Sequence, residues 1–119
     1  MVARIWRTGV KPERFEEYER FARERSLPMF RAQRGFIGVL FMRQKEDRAA
    51  VLTLWEDEKA VEELEASPLY RQTVEIILGS GFLAGEQSVE VFEVRGGQGR
   101  GGRTHSETRV IGALIPLDP

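Results

Sequence analysis

Five large aromatic side chains and one strand arginine are the residues of this chain best suited to chemistry on an organic ring. Trp6, Trp55, Tyr18, Tyr70 and Phe21 offer flat surfaces that hold an aromatic body. Arg4 stands two residues before Trp6, so in a strand both share a face, and a guanidinium there can hold a developing anion. The rest of the inventory is narrow. Cys is absent, which excludes thiol catalysis, thiolate metal sites and disulfides. His105 is the single histidine, which excludes a His-rich metal centre or a two-His relay within one chain, and no metal site is expected. Each singled-out residue also has a plainer reading. Trp55 and Trp6 fit core or interface positions, Tyr18 and Tyr70 sit at core spacing on helices, and Arg4 can pair with a Glu across the sheet. His105 lies in a glycine-rich tail and reads as solvated.

The chain that must position these groups has 119 residues, 41% of them hydrophobic and 31% charged. That is the size and composition of one globular domain able to build a core without staples. A net charge of −1 makes the whole chain no trap for nucleic acid or anionic lipid, and neither is expected as a partner. No apolar run approaches the ~20 residues of a membrane helix, and Met1–Arg7 lacks a signal-peptide core, so a cytoplasmic location is expected. Arg outnumbers Lys and Asn is absent, a composition that fits a thermophile or a GC-rich genome.

Residues 2–7 alternate as a strand, and Thr8-Gly9-Val10-Lys11 reads as a connection. Pro12 suits a first helical position, and Phe15, Tyr18, Phe21 and Ala22 recur at helical spacing to about residue 25. Pro28 kinks or ends that helix, with Ser26 as the cap of a short continuation through Ala32. Gly35 stops it. Phe36–Met42 is apolar in both directions and reads as a central strand covered on both sides. A polar turn leads to a strand from Ala49 to Trp55, which closes a hairpin. Asp57 caps a second helix, Ser67-Pro68 restarts it, Gly79-Ser80-Gly81 ends it, and Val89–Val94 is a fourth strand.

The order β-α-β-β-α-β predicts an α+β, ferredoxin-like fold, a four-stranded antiparallel sheet with both helices on one face. Two helices cover one face only, so a partner subunit is the simplest cover for the other, and a homodimer is expected. We expect this domain to span residues 1–94. Residues 95–103, rich in Gly and Arg, read as a flexible linker. Residues 104–119 read as a C-terminal arm, with Thr108–Ile115 β-branched and apolar enough for an extra strand that packs on the dimer, the alternative being a disordered tail.

The strand Val2-Ala3-Arg4-Ile5-Trp6, the turn Arg34-Gly35-Phe36-Ile37-Gly38 and the run Leu52–Val61 around Trp55-Glu56-Asp57 together resemble the antibiotic biosynthesis monooxygenase domain family, within the dimeric α+β barrel superfamily. The resemblance covers about residues 2–94. It implies a homodimer whose two sheets form a barrel, with a pocket between sheet and helices in each subunit. In polyketide oxygenases of the family a pocket Trp closes strand three, and Trp55 matches it. The Asn and Tyr that accompany that Trp correspond here to Val51 and Val61. The Asn, Trp and His positions of haem-degrading members fall on an Asn-free first strand, Leu64 and Val74, so haem degradation in the known manner is not expected.

What the resemblance implies is cofactor-independent oxygenation of a small aromatic or quinol-type substrate. Such chemistry needs a substrate that itself gives an electron to O₂, a protein that holds the ring, and groups that stabilise negative charge. The expected site is Trp55 as the catalytic residue, with Arg4, Trp6, Tyr18, Phe21 and Tyr70 binding substrate. No base is evident, so a carboxylate or the substrate's own charge must serve. The alternative is a non-catalytic dimeric protein of the same fold that binds small molecules or acts in stress.

Overall fold

The computed structural model describes residues 1–98, and the expected arm over 104–119, with its strand Thr108–Ile115, lies outside the described residues. Four strands, β1 (Val2–Val10), β2 (Phe36–Gln44), β3 (Arg48–Trp55) and β4 (Leu83–Glu93), form one antiparallel sheet in the order β2-β3-β1-β4. Between β1 and β2 run a 3₁₀ turn (Pro12–Arg14), α1 (Phe15–Phe21), a π turn (Ala22–Ser26) and α2 (Leu27–Arg31). Between β3 and β4 run α3 (Glu58–Ala66) and α4 (Pro68–Leu78). This is the expected ferredoxin-like arrangement.

Three local expectations are corrected. β1 continues through the predicted connection to Val10, because Thr8 and Gly9 find ladder partners in Ala49 and Arg48, and Val10 pairs with Leu83. Gly9 is needed there, since a Cβ would meet the Ala84 carbonyl oxygen at 2.4 Å. Ser26 makes no capping hydrogen bond and has helical backbone angles, because the first helix does not stop. Pro28 has no N–H to give to the preceding turn, and the chain absorbs this by widening it. The Leu27 N–H reaches back to the Ala22 carbonyl, five residues away, which is π geometry. Finally, β2 lies at the sheet edge, and the central strands are β1 and β3. Its two-sided apolar character reflects cover from α2 on one face and the apolar, helix-free surface of the sheet on the other.

The caps that aim the site are legible in the sequence. The Asp57 carboxylate accepts from the Ala60 N–H at 2.8 Å, which holds that carboxyl below its ordinary range and starts α3. Ser67 Oγ accepts from the Tyr70 N–H at 3.3 Å and from Gln33 Nε2 at 3.2 Å, fixing Tyr70 in the first turn of α4. Gly35, at φ +80°, lets its carbonyl accept from the Glu56 N–H at 2.8 Å. A side chain at Gly35 would come 2.6 Å from the Ala60 Cβ, so this glycine sets how closely α3 approaches the sheet.

Between sheet and helices the core has two parts. One gathers Val2, Met29, Phe30, Val51, Trp55 and Leu64. The other gathers Val10, Phe15, Tyr18, Phe21, Ala49 and Ile77. Trp6 borders both. On the opposite face the register lines up Ala3 with Leu54 and Phe92, and Ile5 with Leu52, an apolar surface with no helix over it among the described residues.

Candidate functional site

A cavity opens where the two parts of the core meet. Its floor is the helix-facing side of the sheet: Arg4 and Trp6 of β1, Val51 and Thr53 of β3, and Phe41 of β2. Strand alternation puts them there, since Arg4 stands opposite Thr53 and Trp6 opposite Val51, which in turn faces Phe41. Tyr18 and Phe21 of α1, with Met29 and Phe30 of α2, form one wall. Tyr70, Thr73 and Ile77 of α4 form the other. Met29 and Thr73 also border a surface groove between α2 and α4, lined by Pro28 and Leu69.

The cavity measures about 50 Å³. On the same measure a water needs roughly 10–15 Å³, so it holds about three to five waters. One aromatic ring displaces about that much, and three fused rings need the walls to move.

Its polar groups are few. Arg4 is 4% exposed. Its Nε donates to Glu65 Oε2 at 3.0 Å, and its Nη2 donates to the Tyr70 hydroxyl oxygen at 2.7 Å. The guanidinium carbon also lies 5.2 Å from the Tyr70 ring centroid. Glu65, with its side chain 46% exposed, reaches Arg4 from the solvent side of α3 and does not line the cavity. Since the Tyr70 oxygen accepts from a cation, its own proton is free to be donated. Arg4 and Tyr70 therefore form a paired donor for an anionic oxygen.

Thr53 is 1% exposed, and its hydroxyl donates to the Arg4 carbonyl at 3.3 Å while accepting from Trp55 Nε1 at 2.8 Å. Thr73 donates to the Leu69 carbonyl at 2.8 Å, which leaves its methyl for the wall. Tyr18 is buried, and burial, helped by the charge of Glu19, pushes its phenol up to about 12. Tyr18 is thus a neutral donor at any physiological pH and not a base. The sign follows for stability. The neutral phenol is favoured in the fold, so its contribution is complete below pH 10 and is lost as the pH rises towards 12. Two units correspond to about 2–3 kcal/mol. Tyr18→Phe is expected to flatten the alkaline arm of the denaturation curve between those pH values. An unchanged arm would show that the phenol ionises as freely in the fold as in the unfolded chain.

Of the six expected site residues, five surround this one cavity: Arg4, Trp6, Tyr18, Phe21 and Tyr70. Trp55 does not. It is 0% exposed, packed edge to face against Phe30 and Phe36 at centroid distances of 6.3 and 5.6 Å. α3 lies over the end of β3 and fills the space that a pocket Trp would face. Trp55 stands one layer behind the cavity, bonded to Thr53 and packed on Phe30, both of which line it. Two residues of the arrangement escaped the sequence reading. Thr53 looks like an ordinary strand residue, although its place two before Trp55 puts it on the same face. Glu65 looks like a solvated helix residue, and nothing in its spacing connects it to Arg4. Among the described residues no group of three acidic or His side chains is placed to hold a metal ion, and no helix is long and apolar enough to cross a membrane.

The fold has many solved counterparts. ActVA-Orf6 of Streptomyces coelicolor, a monooxygenase solved with nanaomycin D, superposes with a TM-score of 0.72 at 17% identity, over 81% of this chain and 88% of that one. SnoaB, a cofactor-independent oxygenase of Streptomyces nogalater, gives 0.61 at 20% identity, over 81% and 94%. NE2512 of Nitrosomonas europaea, a protein of unknown function, gives 0.68 at 15% identity, over 82% and 91%. At these identities the likeness is one of fold. A search of curated proteins by sequence finds no match. The model of one family, antibiotic biosynthesis monooxygenase, matches residues 1–76, and with more than half of its length matched the chain belongs to the antibiotic biosynthesis monooxygenase family.

Proposed function

We propose that this protein is a cofactor-independent monooxygenase acting on a small aromatic or quinol-type substrate held in the cavity between β1, α1 and α4. The observation that carries the reading is the pairing of a buried Arg4 with the Tyr70 hydroxyl inside otherwise apolar walls. An ionised ring oxygen placed on that pair is stabilised by a full charge and a neutral donor together. A guanidinium neighbour lowers an oxygen acid's pKa by roughly one to three units, which offsets the rise that burial gives, so the substrate's own charge serves in place of a base on the wall. The electron-rich ring is then itself the reductant for O₂. With a hydroquinone, one oxygen atom enters the ring to give a hydroxyquinone and the other leaves as water. That accounts for both atoms of O₂ and all four electrons. Trp6, Phe21 and Phe41 hold the ring and keep water from competing for the oxygen.

The same reading places a second copy of the chain on the open sheet face, where Ala3, Ile5, Leu52 and Leu54 form an apolar surface and Phe92 is 46% exposed. Light scattering at micromolar concentration is expected to give twice 13.6 kDa, and a monomeric mass would remove this part of the proposal.

The size of the cavity and the absence of a base on its walls favour a second reading, a dimeric binding protein that holds a small ring and leaves it unchanged. Oxygen uptake separates the two. With a panel of hydroquinones and anthrones the enzyme reading expects consumption above buffer autoxidation and one hydroxylated product per O₂. Uptake equal to buffer for every compound would leave the binding reading.

A further inference from the structure

Tyr18 has a hydroxyl that the fold does not use. The residue is 4% exposed. Burial and the charge of Glu19 account for its environment, and no hydrogen bond contributes. Among the described residues no buried side-chain oxygen is sealed away without a partner, so the Tyr18 oxygen is accessible, and the residue lines both this cavity and a groove bounded by Glu19, Arg23 and Arg43. A buried, unpartnered donor facing a cavity is paired by whatever fills that cavity.

Its position within the cavity gives the ligand a direction. Tyr18 belongs to the part of the core that holds Val10 and Ala49, towards one end of the sheet, and Tyr70 borders the part that holds Val2 and Trp55, towards the other. Ala49 stands opposite Thr8, four residues along β1 from Arg4, which is about 13 Å at strand rise. Between these levels the floor is apolar, formed by Trp6, Val51 and Phe41. A six-membered ring with oxygens at opposite ends, plus a hydrogen bond of about 2.8 Å at each, matches a span of that order.

Resting on the reading of this cavity as the ligand site, we propose that Tyr18 is its specificity-determining residue, donating its phenolic O–H to an acceptor oxygen at the end of a single-ring ligand remote from Arg4. The ligand class follows. It carries an ionised oxygen on Arg4 and Tyr70, one ring in the apolar middle, and a carbonyl or hydroxyl oxygen at the far end. Thr73 competes for neither end, since its hydroxyl is committed to Leu69.

Two probes of nearly equal shape test this without any turnover. 4-Acetylbenzoate presents a carboxylate and a remote carbonyl, and 4-isopropylbenzoate replaces the carbonyl by carbon. Calorimetry on the intact protein is expected to show the acetyl compound bound about five-fold tighter, the worth of one neutral hydrogen bond. Tyr18→Phe keeps the ring against Phe15 and is expected to make the two affinities equal. Arg4→Met is expected to weaken both by about ten-fold or more and keep their ratio. The proposal is overturned if the wild type does not distinguish the pair, if Tyr18→Phe keeps the preference, or if neither probe binds at millimolar concentration. Melting curves of both variants establish that they fold. A preserved preference without oxygen uptake sinks the monooxygenase and leaves this assignment in place.

Discussion

Replacing Arg4 with methionine is expected to lower kcat/KM for an oxidised phenol or quinol by roughly 10- to 100-fold while leaving the melting temperature unchanged or slightly raised. The two halves have separate causes. Among the described residues Arg4 is the cavity's only charged donor, and a charge-assisted hydrogen bond to a developing anion is worth about 1.5–3 kcal/mol. A neutral side chain returns that to the barrier, and Tyr70 loses the donor that orients its proton. In the fold, by contrast, the arginine is a buried charge whose partner is not buried. Glu65 has its side chain 46% exposed and returns to water when Arg4 is gone. Methionine fills the same slot beside Trp6 with an apolar chain of similar length. Steady-state oxygen uptake and thermal unfolding of the same preparation check both. A variant that loses stability while keeping turnover per folded molecule would make Arg4 a structural residue only.

Trp55→Ala is expected to cost about 3–5 kcal/mol of stability, the range for removing a fully buried large aromatic side chain. For a domain of this size that lowers the midpoint by about 10–20 °C. Nothing can refill the space at low cost. Phe30 and Phe36 are themselves stacked at 6.1 Å and hold Trp55 edge-on, and Leu64 above it is equally inaccessible. Trp55→Phe is expected to be far milder, because a ring stays in the aromatic cluster and only the bond to Thr53 is lost. Chemical denaturation measures both. A loss under about 1 kcal/mol for the alanine variant would mean that the tryptophan is not packed as described. Any effect of Trp55 on turnover is expected to accompany this loss of stability, since it meets the cavity only through lining residues it supports, Thr53 and Phe30.

The difference between Arg4 and Trp55 shows what the chain's pattern conveys and what it cannot. Alternation along β1 and β3 sorts side chains between two faces. Arg4, Trp6, Val51, Thr53 and Trp55 all belong to the helix-facing side for that reason alone. Within that face, whether a residue meets a cavity or the packed core depends on where α3 and α4 lie. That is settled by the close approach at Gly35 and by the caps at Asp57 and Ser67. The caps were legible as residue types, and the tilt that they impose was not. Helical spacing likewise brought Tyr18, Phe21 and Tyr70 to the right side, while the partnership of Arg4 with Glu65 joins residues 61 apart and has no local signature. The strand order shows the same limit. An apolar run looks alike at a sheet's centre and at an edge with apolar side chains on both faces, and β2 is the second.

One supernumerary residue shapes the interior. An α-helix turns its side chains by about 100° per residue, and a π turn contributes one residue beyond the regular count. α2 is therefore out of phase with α1 by about that angle. Phe15, Tyr18 and Phe21 deliver to one part of the core, and Met29 and Phe30 deliver to the other. Counted at about 100° per residue, a regular helix would carry Phe30 about 120° round from Tyr18, and the extra residue returns it to about 20°, on the same cavity wall. Measured as chain length, that wall is completed by one residue more than a regular helix needs, housed where a proline has already taken one hydrogen bond away.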